Sequence, residues 1–351
     1  MEMLRDRTTF DPDDMPNWLA SLWPPRKFGA LLLTAINDDD CAVMRWGSSL
    51  LVVTMDFVNS HPIVMELGIG NWDTLGRLVV AANLSDLCGT GAKPVAMLIG
   101  ITMPYGSRTE QFKRIMHGIR QETQRHGIPV IGGDRKLGRS LAIVGVAMGS
   151  AGSSKNLFLK NGARPGDLVW ASDCLGSCAA AVVGLKEGVK DQIWRAWAKR
   201  VLSVPNVPIE KALALSDLKL GRGGTDISDG LGVSIHNLCD QSDTGAVIYA
   251  DQIPVATPVL RIAKEKGISP WAFSFACGGD FQFLATTSPR AEAKLRELGF
   301  HLIGRITKSR TRSIHIAHRR VHVLPFIGHR DSRQITFYEE ILRLAREVDH
   351  V

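Results

Sequence analysis

The sequence lacks most of the signatures by which a nucleotide site is commonly found. No GxGxxG follows its first apolar strand, so a dinucleotide-binding Rossmann unit fits poorly. No GxxxxGK[ST] occurs, which excludes a P-loop. None of the six cysteines, at 41, 88, 174, 178, 239 and 277, forms a CxxC pair. Cys174 and Cys178 stand four apart, but no matching pair of ligands follows. Most of the six sit among small or apolar residues, as buried hydrophobes do, and a reducing, cytoplasmic setting is expected. The opening MEMLRDRTTFDPDD has no apolar signal stretch, and no apolar run approaches membrane-spanning length, so no membrane partner is expected. No block of like charge, no aromatic–basic interleaving and no zinc-finger spacing occurs, which argues against nucleic acid.

What is present is ordinary globular composition: 351 residues, 45% hydrophobic and 22% charged. A chain of that length is expected to bury more than one core. Its 34 glycines are not periodic and cluster beside Asp, Ser and Thr, as in sharp turns near polar sites. Lys and Arg number 42 against 35 acids, a net +7. That balance suits anionic ligands such as nucleotides, and equally suits a protein that merely stays soluble.

Apolar spacing predicts strands over 50–56, 94–103, 128–131, 140–148, 168–171, 246–249 and 281–286. It predicts helices over 73–84, from a Ser107/Glu110 capping box towards Arg125, over 231–239, and in the stretches QIWRAWAKRVL and FYEEILRLAREV. The tryptophans of QIWRAWAKRVL read as packing. GRGGTDISDG (221–230) reads as a Gly-rich polar loop, 1–30 as an irregular lead-in, and 308–330 as surface strands. The two halves share a rhythm of strand, aspartate turn, helix and strand. The expected class is α/β (α+β), with a first domain over 1–155 and a second over 156–351.

Acidic residues gather at Asp38-Asp39-Asp40, Asp56, Asp86, Asp134, and Asp226 with Asp229, each read as lying at a strand end or in a Gly/Ser-rich turn. Carboxylates repel unless a cation sits between them. Mg²⁺ takes carboxylate and phosphate oxygens, and neighbouring glycines let backbone N–H groups approach phosphate. Any one loop aspartate is more often a turn or cap residue. It is the set that points to metal and nucleotide.

The strings around these acids resemble the superfamily of thiamine-monophosphate kinase and aminoimidazole-ribonucleotide synthetase, which also holds selenophosphate synthetase and the hydrogenase maturation dehydratase. NDDDCAV (37–43), VVTMD (52–56), AANLSDLCGTGAKP (81–94), VIGGD (130–134), KNGARPGD (160–167), TDISDGL (225–231) and CGGDFQFL (277–284) follow in family order. The wording is nearest to the kinase. The resemblance implies a two-domain protomer whose N-terminal half gives strands to a barrel shared across a homodimer, with ATP in a groove. It implies that Asp39, Asp56, Asp86, Asp134, Asp226 and Asp229 bind Mg²⁺, with Asp134, Asp226 and Asp229 the catalytic set. Gly133, Asp134, Ser228, Thr54 and Lys160 would meet the nucleotide, Thr54 and Met55 would share the metal loop, and Lys160 stands where the family has arginine.

The departures fall on the acceptor side. Ile63 stands where the kinase has a substrate-contacting His or Asp, and His61 is out of register. Gly279 and Gln282 replace two glutamates, and Arg135 replaces a threonine. The expectation is therefore ATP- and Mg²⁺-dependent phosphoryl transfer to a small, anionic acceptor other than thiamine monophosphate. Thiamine-monophosphate kinase itself, and a nucleotide-binding regulator without turnover, stand as alternatives. A basic protein that binds nucleic acid through 305–330 is the third.

Overall fold

The computed structural model describes Leu22 and residues 31–321, apart from positions 35, 37, 60, 61, 277, 317 and 318. The expected helix FYEEILRLAREV, the lead-in other than Leu22, and His61 lie outside the described residues.

Two sheets organise the chain. The first contains β1 (Ala42–Trp46), β2 (Ser49–Asn59), β3 (Lys93–Pro104), β4 (Val130–Gly138) and β5 (Ala142–Ala151), in the order β1-β2-β5-β3-β4. Only β3 and β4 run parallel. The second contains β6 (Leu168–Ala171), β7 (Gly224–Ile227), β8 (Gly245–Tyr249), β9 (Gln282–Thr287), β10 (His301–Thr307), β11 (Arg312–Ile316) and β12 (Arg319–Val321), in the order β12-β11-β8-β10-β6-β9-β7. Ten helices accompany them among the described residues: α1 (Ile63–Glu66), α2 (Trp72–Thr90), α3 (Thr109–Arg125), α4 (Ser177–Lys186), α5 (Gln192–Ser203), α6 (Ile209–Asp217), α7 (Leu231–Ser242), α8 (Thr257–Lys266), α9 (Phe273–Ala276) and α10 (Glu292–Glu297).

Burial explains the sequence patterns. Along β5 buried and half-buried residues alternate, the mark of a sheet covered on one face. Strands β6, β7 and β9 are buried at every residue, because both of their faces are covered. On β6, Leu168 and Trp170 join the core that includes the first sheet, while Val169 and Ala171 join the core beneath α4, α7 and α8.

Helix α2 ties the halves together. It opens with a reciprocal cap, Asn71 accepting from the Thr74 N–H at 3.0 Å and Thr74 Oγ1 accepting from the Asn71 N–H at 3.2 Å. It ends at Gly91 in the left-handed region, φ +77°. A Cβ at Gly76 would fall 2.1 Å from the Ile115 carbonyl oxygen, so only glycine lets α2 and α3 approach this closely. The same holds at the other end of α2. A Cβ at Gly89 would fall 2.5 Å from the Asp226 nitrogen of β7.

Three local readings are corrected. Helix α3 starts at Thr109, and its N-terminal bond runs from the Arg108 N–H to Gln111 Oε1 at 2.8 Å, one residue beyond the expected Ser107/Glu110 box. The 221–230 segment is not simply a loop, since β7 crosses it as a buried edge strand covered by the end of α2. Asp86 lies within α2, and Asp56 within β2 three residues before its end. Trp194 packs as expected, buried with its Nε1–H on the Pro258 carbonyl at 3.1 Å.

Candidate active site

Asp40 precedes β1, Asp86 sits on the last turns of α2, and Asp226 lies on β7. Their carboxylate oxygens converge within 4.8 Å of one another, the only such acidic cluster among the described residues. Each is held from a different element. Ser85 Oγ donates to Asp226 at 2.9 Å, and Ser234 Oγ donates to the Asp226 carbonyl at 2.7 Å. Thr225 Oγ1 donates to Asp40 at 3.1 Å. The Thr54 hydroxyl, on the helix-facing side of β2, reaches Asp86. The Lys160 ammonium pairs with Asp40.

Burial pushes the Asp226 carboxyl up to about 8, with Asp40 adding repulsion. Asp86 is driven well above the usual range by burial and then by Asp226. Asp56 rises to about 6, through burial and then Asp229. Lys160 moves the other way: burial alone would depress it, but Asp40, Asp39 and Asp226 together hold it above its ordinary value. A buried group of acids with one internal cation is the electrostatic profile of a cation site. Three hard oxygen donors fit Mg²⁺.

The expected residues divide into two groups. Asp86 and Asp226 are brought together, and Asp56 and Asp229 lie close enough to repel. Asp39 is not in the cluster. Its oxygens accept from the Lys160 N–H at 2.7 Å and the Asp40 N–H at 3.0 Å, and it is the Asp40 carboxylate that stands with Asp86 and Asp226. Asp134 is also apart. It lies on the edge strand β4, with its side chain 71% exposed and paired to Lys136 at 3.4 Å. Register places it one step from the row Asp56–Gly145–Ile99–Gly133 and hence on the opposite face. Three strand spacings also separate it from Asp56, roughly 14 Å. Within one protomer it cannot share an ion with the cluster. Gly133 sits beside it with φ +152°, its α-carbon against the Ile99 carbonyl. Met55 points away from the cluster, 67% exposed. Ser228 hydrogen-bonds Asp226. Lys160 is engaged with Asp40 and does not project freely towards a phosphate.

Sequence reasoning passed over Ser85, Asn83 and Thr225. Asn83 accepts from the Asp56 N–H at 3.2 Å and donates to the Val79 carbonyl at 2.8 Å, in the space left by Gly145. The signal was there: each is a small polar residue inside or beside an acidic string.

The chain matches the family description "AIR synthase related protein, N-terminal domain" over 38–151 and "AIR synthase related protein, C-terminal domain" over 164–316. It belongs to the AIR synthase-related family. The thiamine-monophosphate kinase of Pyrococcus abyssi is 27% identical over 271 residues, 76% of this chain and 82% of that protein. The thiamine-monophosphate kinase of Methanopyrus kandleri is 29% identical over 280 residues, 78% of this chain and 83% of that protein. A solved structure of AaThiL complexed with AMPPCP and TMP superposes with a TM-score of 0.73 at 20% identity, covering 90% of this chain and 97% of its own. At that identity the likeness speaks for the fold. Family, kinase relatives and acidic site together make the chain an ATP-dependent kinase.

Proposed function

We propose that this AIR synthase-related kinase transfers a phosphoryl group from Mg²⁺-bound ATP to a small phosphorylated acceptor of the thiamine-monophosphate type. The convergence of Asp40, Asp86 and Asp226 from three distant motifs carries the reading. These three would hold the metal, with Asp56 and Asp229 beside them. The metal supplies neutralisation of polyphosphate charge. Thr54, Ser85 and Thr225 fix the carboxylates, and Lys160 balances their charge. No general base is required of the chain if the acceptor oxygen already belongs to an ionised phosphate.

The expectation of a different acceptor rested on positions 63, 135, 279 and 282. Gln282 is 4% exposed and fully engaged: it accepts from Ser172 Oγ at 2.8 Å and donates to the Asn206 carbonyl at 2.9 Å. A carboxylate could not make the second bond, so this change answers to local packing and says nothing of the acceptor. Arg135 lies exposed on β4, and two apolar departures remain. Ile63 packs half-buried against the second core. Gly279 has φ +89°, and a Cβ there would lie 2.9 Å from Cys178 Sγ. They favour a second reading, an acceptor with fewer polar groups than thiamine monophosphate. Steady-state turnover with thiamine monophosphate and a panel of phosphate esters decides between the two, and Mg²⁺-independent or absent ATP turnover with every acceptor would defeat both.

We also infer a homodimer through the first sheet. Its face away from α2 carries Met55 and Phe57, each 67% exposed, and half-buried Val144 and Val146 opposite them. A second copy closing on this face would form the expected barrel.

A further inference from the structure

The turn before β9 joins two distant parts of the second half. Gly278 lies flat on the loop after β7: a Cβ there would fall 1.5 Å from the Ser228 carbonyl oxygen and 2.8 Å from the Asp229 α-carbon. The Gly279 N–H donates to that same carbonyl at 2.8 Å. The Asp280 carboxylate then reaches the start of α4, accepting from the Gly176 N–H at 2.6 Å and the Cys178 N–H at 2.9 Å. Helix α4 has no side-chain cap of its own at Gly176. Its first N–H groups lack intrahelical partners and carry the positive end of the helix dipole, so a carboxylate from elsewhere in the chain satisfies them. Both oxygens of Asp280 are thereby committed to backbone.

We infer that Asp280 is a positioning residue: it pins the 278–280 turn to the N-terminus of α4, and the turn in turn fixes the Ser228–Asp229 loop beside Asp226. The inference rests on the reading of that loop as part of the Mg²⁺–ATP site. Without the pin, the turn keeps its tie to β9, where Gln282 pairs with Ile227, but loses its tie to α4. Ser228, which hydrogen-bonds Asp226, and Asp229, which repels Asp56, would then lose their fixed places. Residues that orient ligands in this indirect way commonly change affinity or activity by about 10–100-fold when removed.

The test compares wild type with Asp280→Ala, Asp280→Asn and Gly278→Ala, using calorimetric affinity for Mg²⁺–ATP, kcat, KM and thermal midpoint. Asp280→Ala is expected to weaken Mg²⁺–ATP binding and kcat/KM by about 10–100-fold in a chain that still melts cooperatively. Asp280→Asn keeps one acceptor and turns an N–H₂ towards the other donor, so its loss falls between. Gly278→Ala moves the loop without touching α4 and gives a loss of the same kind. A lower thermal midpoint with unchanged Mg²⁺–ATP affinity in Asp280→Ala or Asp280→Asn would make Asp280 a helix cap only and overturn the inference. So would wild-type affinity in Gly278→Ala. Failure of the wild-type chain to bind Mg²⁺–ATP overturns the reading of the site itself, and this inference with it.

Discussion

The Ser85 hydroxyl donates to the Asp226 carboxylate across 2.9 Å, joining the central helix of the first half to the edge strand of the second. The candidate site thus straddles the junction between the two sheets. Removing that hydroxyl leaves a buried carboxylate oxygen short of a donor, which costs about 1–3 kcal/mol. Ser85→Ala is expected to lower both the thermal midpoint and Mg²⁺ affinity. Gly89→Ala, whose added carbon would lie 2.5 Å from the Asp226 nitrogen, should destabilise by about 1–3 kcal/mol through overpacking. Denaturant titration of both variants checks this, and wild-type midpoints would refute it.

Asp40 and Asp39 are neighbours with different work. Asp40→Asn, Asp86→Asn and Asp226→Asn should each lower Mg²⁺-dependent ATP turnover by at least about 100-fold, since a metal's charge stabilisation is worth several kcal/mol. Asp39→Asn should be milder, because its oxygens serve backbone donors. Turnover across a magnesium titration distinguishes them, and an Asp39 variant as damaged as the Asp40 variant would contradict the assignment.

Stability should depend on pH in an unusual direction. In the metal-free fold Asp226 keeps its proton to about pH 8, while an unfolded aspartate releases it near 4. Between these values the folded state binds more protons, so stability falls as pH rises and levels off above about 8. Burial, followed by Asp40, raises Asp39 to about 7 and adds to the lower part of that window. Mg²⁺ competes with those protons, so the thermal midpoint gained on adding it should grow from pH 5 to pH 8. Scanning calorimetry with and without the metal measures both slopes, and a metal-free protein that becomes more stable towards pH 8 would contradict the prediction.

Thiamine monophosphate should be accepted, but with kcat/KM reduced by about two to four orders of magnitude against a kinase that offers polar partners at positions 63 and 279, since each of the two unmet polar groups costs about 1–3 kcal/mol. Ile63→His should recover part of the loss. A fall in kcat/KM for Ile63→His, with the fold intact, would show that position 63 does not face the acceptor.

Light scattering at micromolar concentration should give twice the chain mass. Phe57→Glu, on the open face of the first sheet, should give monomers, because it sets a charge in an apolar interface. A wild-type monomer would remove the barrel from the proposal.

Much of this was legible in the sequence because it rests on periodicity. The strand 168–171 and the helix through QIWRAWAKRVL stand where apolar spacing put them. The mixed α/β, two-domain class follows from the same patterns and from the motif order. What escaped was phase and partnership. In a run of three aspartates, only the turn into β1 determines which carboxylate faces Asp86, and that turn is set by contacts with Lys160 and Thr225, 120 and 185 residues away. GRGGTDISDG has loop composition, yet the end of α2 and strand β9 cover it and make it a strand. Gln282 looked like an altered substrate contact because its true partner, the Asn206 carbonyl, is a backbone atom no motif records.

The sharing of α2 between the sheets has a consequence for how such a chain can be divided. A cut in the segment between β5 and β6 would separate Asp40, Asp56 and Asp86 from Asp226 and Asp229. It would also split the core in which Trp170 and Phe283 pack with residues of the first half. Neither fragment would own the whole proposed cation site, and the proposed binding would return only on reassembly around α2. A split pair of this protein would therefore act as a complementation reporter, silent as separate pieces and magnesium-responsive once rejoined.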